Sequence, residues 1–394
     1  MDNTIKNHYS ASTPIYQQVQ NMIVSEVFNK LNPGDKIPNE LELCKNYNVS
    51  RTTIRQALNY FIEKDYIRRF KGKGSFLNKK PEIILQKDIS LPVPTINFIV
   101  PCIMNTGTIA NQIHAIEKIT FEKGYQLVIH NVDNNPNKFE KYIQTIIKTN
   151  GNSGVIFIPL FEYENTRGEN IKFMEKLKEN NIPVVVIDRL LLNTDIQELP
   201  GSNFNDIPSA DYDFVIPDNV YGGYLATKHL LELGHKKIAY IGEPVSHAGY
   251  SRLQGYVKAL KEFGVDIDIN IICRLSEPYK WDQTEEIIKG ILHKDITAIF
   301  AEHDLIAREV LLDLQKMNIK VPDEISLIGY DDLDSAQYLS VPLTTIRQPV
   351  IKEVELATEI LFDKIQNKNT NIKQIILPVE LIVRKSTNKI RDGS

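Results

Sequence analysis

Little in this chain speaks of secretion, membranes or metals. Its three cysteines, Cys44, Cys102 and Cys273, lie far apart with no Cys-x-x-Cys pair, which argues against a disulfide framework and a zinc site. No run approaches the ~20 apolar residues that a membrane helix needs. The opening Met-Asp-Asn-Thr-Ile-Lys-Asn-His lacks a secretory apolar stretch, so a cytoplasmic location away from membranes is expected. Nucleophile motifs, phosphate-cradling glycine loops and metal-ligand spacings are missing too. The chain is therefore expected to be no enzyme and to use no cofactor or metal. No internal repeat is visible, and the one notably polar region runs from about 193 to 211. What is there is a 394-residue chain, 42% hydrophobic and 24% charged, the make-up of a globular protein with two or three domains.

Charge is unevenly distributed. Residues 1–80 hold nine Lys and four Arg against three Asp and four Glu, a net of +6. The whole chain is −4, so residues 81–394 carry −10. A basic head on an acidic body fits a polyanion held by the head alone.

The head contains a readable order of elements. Asn39 stands where an N-cap belongs, with Glu42 three places on to return the hydrogen bond. The short helix it starts ends near Tyr47. Asn48 and Val49 make a tight turn, and Ser50 caps the next helix. There Ile54, Ala57, Leu58, Phe61 and Ile62 form one apolar stripe. The opposite face carries Arg51, Thr52, Arg55, Gln56 and Asn59, groups that suit phosphates and base edges and gather at the helix N-terminus. Tyr66 to Phe70 and Ser75 to Leu77 read as two strands around Lys71-Gly72-Lys73-Gly74, where glycine permits φ > 0. A preceding helix, Ile15 to Phe28, offers Tyr16, Val19, Ile23 and Val27 to a small core. An ordinary amphipathic helix with a solvated face would explain one of these helices, but not the basic head.

This order strongly resembles the DNA-binding domain of GntR-family regulators. Their pattern runs Pro-Ser-Glu-x-x-Leu, Val-Ser-Arg-x-Thr-Val-Arg-x-Ala-Leu, then a Gly-x-Gly wing. It is met here over about residues 12–77, with Asn39 in place of Ser, an equally good cap. The resemblance implies a winged helix-turn-helix over 1–78 that binds a double-stranded DNA operator. The residues expected at the DNA are Asn39, Glu40, Ser50, Arg51, Thr52, Thr53, Arg55, Gln56, Lys71, Gly72, Lys73 and Gly74.

A linker, 79–94, marked by Pro81 and Ser90-Leu-Pro-Val-Pro94, leads to the body. From Thr95 the chain alternates short β-branched runs with helical stretches. Strands are expected at 96–100, 126–129, 154–158, 184–187 and 214–216, then at 238–241, 270–273, 298–300 and 325–328. Such runs between helices indicate parallel sheets covered on both faces. Two series imply an α/β body of two doubly wound subdomains, with a ligand cleft between them.

Several polar residues follow those strands. Asp188 and Arg189 follow 184–187, Arg252 sits in the helix after 238–241, and His303 and Asp304 follow 298–300. Asp331 comes after 325–330, and Gln348 follows 344–347. Carboxylates, guanidinium and amide groups suit sugar hydroxyls, each of which donates and accepts. Tyr279 and Trp281 offer rings to stack on a sugar. Each also has a plain structural reading: Asp188-Arg189 as a surface ion pair, Asp331-Asp332 as a cap, Trp281 as packing.

The body resembles the effector domain of LacI/GalR-family regulators, which have a type I periplasmic-binding-protein fold. The matching pieces are Val-Ile-Asp-Arg189, Thr227 to Tyr240, Ser251-Arg-Leu-Gln-Gly-Tyr256, Val321-Pro-Asp-Glu-Ile-Ser-Leu-Ile-Gly-Tyr-Asp-Asp332 and Leu343 to Pro349. The resemblance implies effector binding and homodimerisation over 95–394, with sugar contacts at Asp188, Arg189, Arg252, Asp331 and Gln348. At His303-Asp304 the family has Asn-Asp, and the linker lacks the LacI-type hinge-helix motif. A GntR-type head on a LacI-type body is similar to the arabinose-repressor family of Gram-positive bacteria, which points to L-arabinose as the effector. Three other readings stand beside a repressor. They are a sugar-binding enzyme using Asp188, His303 and Asp331, an activator with a non-sugar effector, and a transport binding protein, which would need an export signal.

Overall fold

The computed structural model describes residues 15–70, 72–79, 94–103, 107–148, 153–161, 168–191, 211–243, 246–277, 279–367 and 371–390. The chain divides into two compact units, Met1–Val93 and Pro94–Ser394. Most of the linker, 80–93, and most of the long 190–212 loop lie outside the described residues.

In the head, the helix Ile15–Met22 widens into a π-type turn at Ile23–Val27 and tightens at Phe28–Lys30. Two further helices follow, Glu40–Tyr47 and Arg51–Glu63. The caps arise from local chemistry. Asn39 Oδ1 accepts from the N–H of Leu41 and Glu42 at 3.0 Å, while Glu42 accepts from Asn39 N at 2.8 Å. Ser50 Oγ accepts from Thr53 N at 3.2 Å. Asn48 makes the turn at φ +50°, a conformation asparagine tolerates. The apolar stripe of Ile54, Ala57, Leu58 and Phe61 is buried against Val19, Ile23, Phe28, Leu43 and Tyr47. Antiparallel strands Ile67–Phe70 and Gly74–Leu77 close the unit, with Gly72 at φ +75° and Gly74 at φ +112°.

The body has two lobes. The first is built on a six-stranded sheet, in the order Gln374–Leu377, Asp213–Pro217, Val184–Ile187, Gly154–Phe157, Thr95–Val100, Gln126–Asn131. The second holds a four-stranded sheet ordered Ser326–Ile328, Ala298–Ala301, Ile238–Gly242, Ile272–Arg274. Every pairing in both sheets is parallel. Both faces of each sheet are covered, so central strands such as Gly154–Phe157 and Ile238–Gly242 are buried at every residue. In the first lobe, the helices Ile109–Glu122 and Val350–Asn367 cover one face and Pro136–Lys148 and Glu169–Glu179 the other.

The lobes are interleaved rather than simply successive. The chain enters the second lobe between Pro217 and Asn219 and returns to the first after Arg347, where Val350–Asn367 packs on the first sheet. It adds the edge strand Gln374–Leu377 and crosses again to Glu380–Ile382, which pairs antiparallel with Thr345–Arg347. Sequence periodicity gave two series but not this return, because an apolar stripe does not say which sheet it will cover.

Candidate functional site

On the head, Arg51, Thr52, Arg55 and Gln56 lie exposed on one face of the helix Arg51–Glu63. Glu40, at the start of the preceding helix, gathers the arginines. Its carboxylate accepts from Arg51 Nε at 3.1 Å, Arg55 Nε at 3.0 Å and Arg69 Nη2 at 3.1 Å. Burial alone would raise the Glu40 carboxyl, but Arg51 and Arg55 outweigh it and hold it below its ordinary value. Because Arg51 and Arg55 are held through Nε, their terminal nitrogens lie outside these bonds. That is the edge with which arginine reads guanine or grips phosphate.

In the body, a cavity of about 70 Å³ lies between the lobes. It adjoins an outer pocket of about 660 Å³, with Gly107, Thr108, Leu305, Asp331 and Gln348 lining both. On the first-lobe side, Asp188 leaves its strand at φ +68°, and Arg189 N–H turns back to Ile187 O at 2.8 Å. A non-glycine residue held in this region is uncommon and collects at functional sites. The Asp188 N–H donates to Glu353 Oε1 at 2.6 Å, and Asp188 Oδ2 accepts from Arg189 Nε at 2.7 Å. The Arg189 guanidinium lies 4.3 Å from the centre of the Phe161 ring, and its Nη1 is buried without a hydrogen-bond partner among the described residues. Burial, reinforced by the Asp188 charge, pushes Glu353 well above the carboxylate range.

The second-lobe side is built around Arg252. It donates through Nε to Asn219 Oδ1 at 2.9 Å and through Nη1 to Glu302 O at 2.8 Å, and lies 3.7 Å over the Tyr330 ring. Its Nη2 is 3.6 Å from Asp331 Oδ1, which also accepts from Gln348 Nε2 at 2.5 Å. Asp331 sits at φ +110°. Burial raises its carboxyl, with Arg252 and His303 pulling only part of the way back. His303 caps the helix Asp304–Lys316, its Nδ1 accepting from Ile306 N at 3.2 Å. That leaves Nε2–H to donate to Glu243 Oε1 at 3.2 Å. Burial lowers the imidazole, yet the Glu243 carboxylate prevails and holds it above its ordinary value.

Residues 11–77 match the family of bacterial regulatory proteins of the gntR type, and residues 227–387 match a periplasmic binding protein-like domain. The chain joins a gntR-type DNA-binding domain to a LacI-type, periplasmic-binding-protein-like body. It is 28% identical over 387 residues to the arabinose metabolism transcriptional repressor of Geobacillus stearothermophilus, covering 96% of this chain and 98% of that one. A transcriptional repressor named PurR from Mannheimia succiniciproducens is 27% identical over 361 residues, 89% of this chain and 98% of its own. The solved complex of the transcriptional regulator CelR with cellobiose shares the fold. Its TM-score is 0.64 at 24% identity, over 86% of this chain and 91% of that one.

In this regulator the strand-end residues separate into two groups. Asp188, Arg189, Arg252, Tyr279, His303, Asp331 and Gln348 line the cavity. Asp304 does not, since its carboxylate accepts from Thr345 Oγ1 at 2.6 Å and Leu333 N at 2.9 Å and ties strand ends together. Trp281 lies behind Tyr279, packed against the second-lobe core, with Nε1 donating to Glu243 at 2.7 Å. On the head, Asn39, Ser50 and Thr53 serve as caps or bond to them. Lys71 lies outside the described residues. Sequence reasoning missed Phe161, Glu243 and Glu302 in the lining. All three follow strands, so the rule that found Asp188 applied to them equally. Glu353 gave no such sign, because only the return of the chain brings it under Asp188. Among the described residues no cluster of acidic, His or Cys side chains has metal-binding geometry, and no helix is long and apolar enough to cross a membrane.

Proposed function

We propose that this regulator is a sugar-responsive repressor. It binds a palindromic operator as a homodimer and is released when a small sugar, L-arabinose in the first instance, enters the cleft. The observation that carries this reading is the unsatisfied lining of the cavity. Arg189 Nη1 and the Tyr279 hydroxyl, from opposite lobes, are buried without hydrogen-bond partners among the described residues, beside carboxylates of Asp188 and Asp331. Hydroxyls that donate to carboxylates and accept from guanidinium would meet these needs with charge-assisted bonds. The likeness to the arabinose metabolism repressor over nearly the whole chain supports the choice of sugar.

The coupling has a physical route. Sugar bound to both lobes favours the closed cleft, and the crossings near 218, 348–349 and 378–379 bend to allow it. In a two-fold dimer the two recognition helices face half-sites about 34–36 Å apart. A shift in that spacing worth about 1–3 kcal/mol changes operator affinity about 5- to 150-fold.

Gel-shift assays against the DNA upstream of the protein's own coding sequence, with L-arabinose, D-xylose, D-ribose and D-galactose, test both halves. Release by one sugar is expected. A shift that no sugar alters removes sugar induction, and turnover of a sugar during calorimetric titration would make the protein an enzyme instead.

A further inference from the structure

Glu243 belongs to no motif, yet its carboxylate and backbone tie together much of the second-lobe wall beside Arg252. It follows the strand Ile238–Gly242 and is 1% exposed. Oε1 accepts from Trp281 Nε1 at 2.7 Å and His303 Nε2 at 3.2 Å, and Oε2 accepts from Tyr279 N at 3.2 Å. Its backbone is fixed as well: Glu243 N donates to Glu302 Oε2 at 3.1 Å, and Arg274 Nη1 donates to Glu243 O at 3.0 Å. Through its carboxylate and its backbone together, Glu243 thus joins the ends of three strands, Ile238–Gly242, Ala298–Ala301 and Ile272–Arg274, to the segment 279–281.

That segment faces the other lobe. Tyr279 stands at φ +66°, a conformation costly for an aromatic residue unless its surroundings impose it. The hydrogen bond from its N–H to Glu243 is part of that imposition. The ring meets Phe161 of the first lobe edge-on, with centroids 5.5 Å apart. Phe161 in turn carries the Arg189 guanidinium. A continuous set of contacts therefore runs from Glu243 through Tyr279 and Phe161 to Arg189, across the mouth between the lobes.

We infer that Glu243 is a positioning residue for effector recognition, holding Tyr279 where it closes the cavity against Phe161 and Arg189. This rests on the reading of the cleft as a sugar site. Glu243 sets how tightly the lobes close on a sugar, while Tyr279 and Arg189 touch it.

Trp281 is the only tryptophan in the chain and donates directly to Glu243, so indole emission of the full-length protein reports on this junction alone. Two measurements on wild type, Glu243→Ala and Glu243→Gln separate the inference from the reading beneath it. Without sugar, acrylamide quenching of Trp281 is expected to rise in Glu243→Ala and to stay near wild type in Glu243→Gln, which keeps an acceptor. Equal quenching in all three overturns the brace. With L-arabinose, D-xylose, D-ribose and D-galactose titrated in turn, the midpoint for the active sugar should weaken by about tenfold in Glu243→Ala, the scale of one hydrogen bond to a charged group. Glu243→Gln should recover most of it. An unchanged midpoint overturns the positioning role. A midpoint equally weak in both variants, with an equally lowered melting temperature, reduces Glu243 to fold support and overturns it too. If wild type responds to none of the four sugars, the sugar reading fails, and the quenching result still decides the brace.

Discussion

Arg252 reaches Asn219 at 2.9 Å because two helices touch backbone to backbone. A Cβ on Gly255 would lie 2.0 Å from Val220 O, and one on Gly223 would lie 2.0 Å from Arg252 O. The helices Asn219–Glu232 and His247–Glu262 therefore approach through glycine, and that approach places the guanidinium over Tyr330 and beside Asp331. Gly255→Ala is expected to push the helices apart, costing about 1–3 kcal/mol of stability as overpacking does. Sugar response should weaken with it. Thermal melting together with sugar titration checks this, and a variant as stable as wild type would show that the contact is slack.

In the proposed function, the operator is read by the face around Arg55. Arg55→Ala is expected to weaken operator binding by about 1–3 kcal/mol, or about 5- to 150-fold, as for loss of a bidentate base contact. Sugar binding by the body should be intact. Gel shifts on wild-type and base-substituted operators measure the loss. Loss that is uniform across sequences, with a shallower salt dependence, would reassign Arg55 to phosphate.

Asp331 accepts from Gln348 and faces Arg252, and in the proposed function its carboxylate accepts from a sugar hydroxyl. Asp331→Asn keeps an acceptor and tolerates the positive φ but removes the charge. Sugar affinity should fall by about tenfold or more, and operator binding should no longer be released at sugar concentrations that release wild type. Release at the wild-type concentration would remove Asp331 from the site.

Acid should act on the body through its buried histidines. Burial lowers His130 to about 4, and its Nε2 lies 2.9 Å from Asn97 Oδ1. Burial likewise lowers His247 to about 4. A histidine with a depressed folded pKa favours the neutral form, so its contribution is present above about 6.5, the unfolded value, and is lost as pH falls toward 4. Asp304 works in the opposite sense. Pushed up to about 8 by burial, it stabilises most below its unfolded pKa and loses that contribution as pH rises through 8. The difference between variants is therefore the clean measure. His130→Gln should lose less melting temperature than wild type between pH 6.5 and 4, and parallel curves would show that His130 is not responsible.

The parts of the protein legible in sequence are those set by near neighbours. The Asn39–Glu42 capping box, the Ser50 cap, the tight turn at Asn48 and the stripe from Ile54 to Phe61 depend on residues a few places apart. The structure repeats them almost residue for residue. Strands in the body were visible because parallel strands buried on both faces leave unbroken β-branched runs. Asp188, Asp331 and His303 were visible because each stands just past such a run.

Other features depend on residues far apart in the chain, and these only the tertiary structure decided. Glu353 lies under Asp188, 165 residues away, because the helix Val350–Asn367 returns to the first lobe. Trp281 looks like a stacking ring in sequence, yet its indole N–H is taken by Glu243 behind the cavity wall. Asp304, one residue beyond the His303 that lines the cavity, is turned inward to Thr345 and Leu333. Sequence by itself determined a basic winged head and an α/β body with polar strand ends, since those follow from local periodicity and capping. Which of the polar groups meet across the cleft was decided by the three chain crossings and by glycine-mediated helix contact. These bring together side chains whose separation in sequence carries no information about their separation in space.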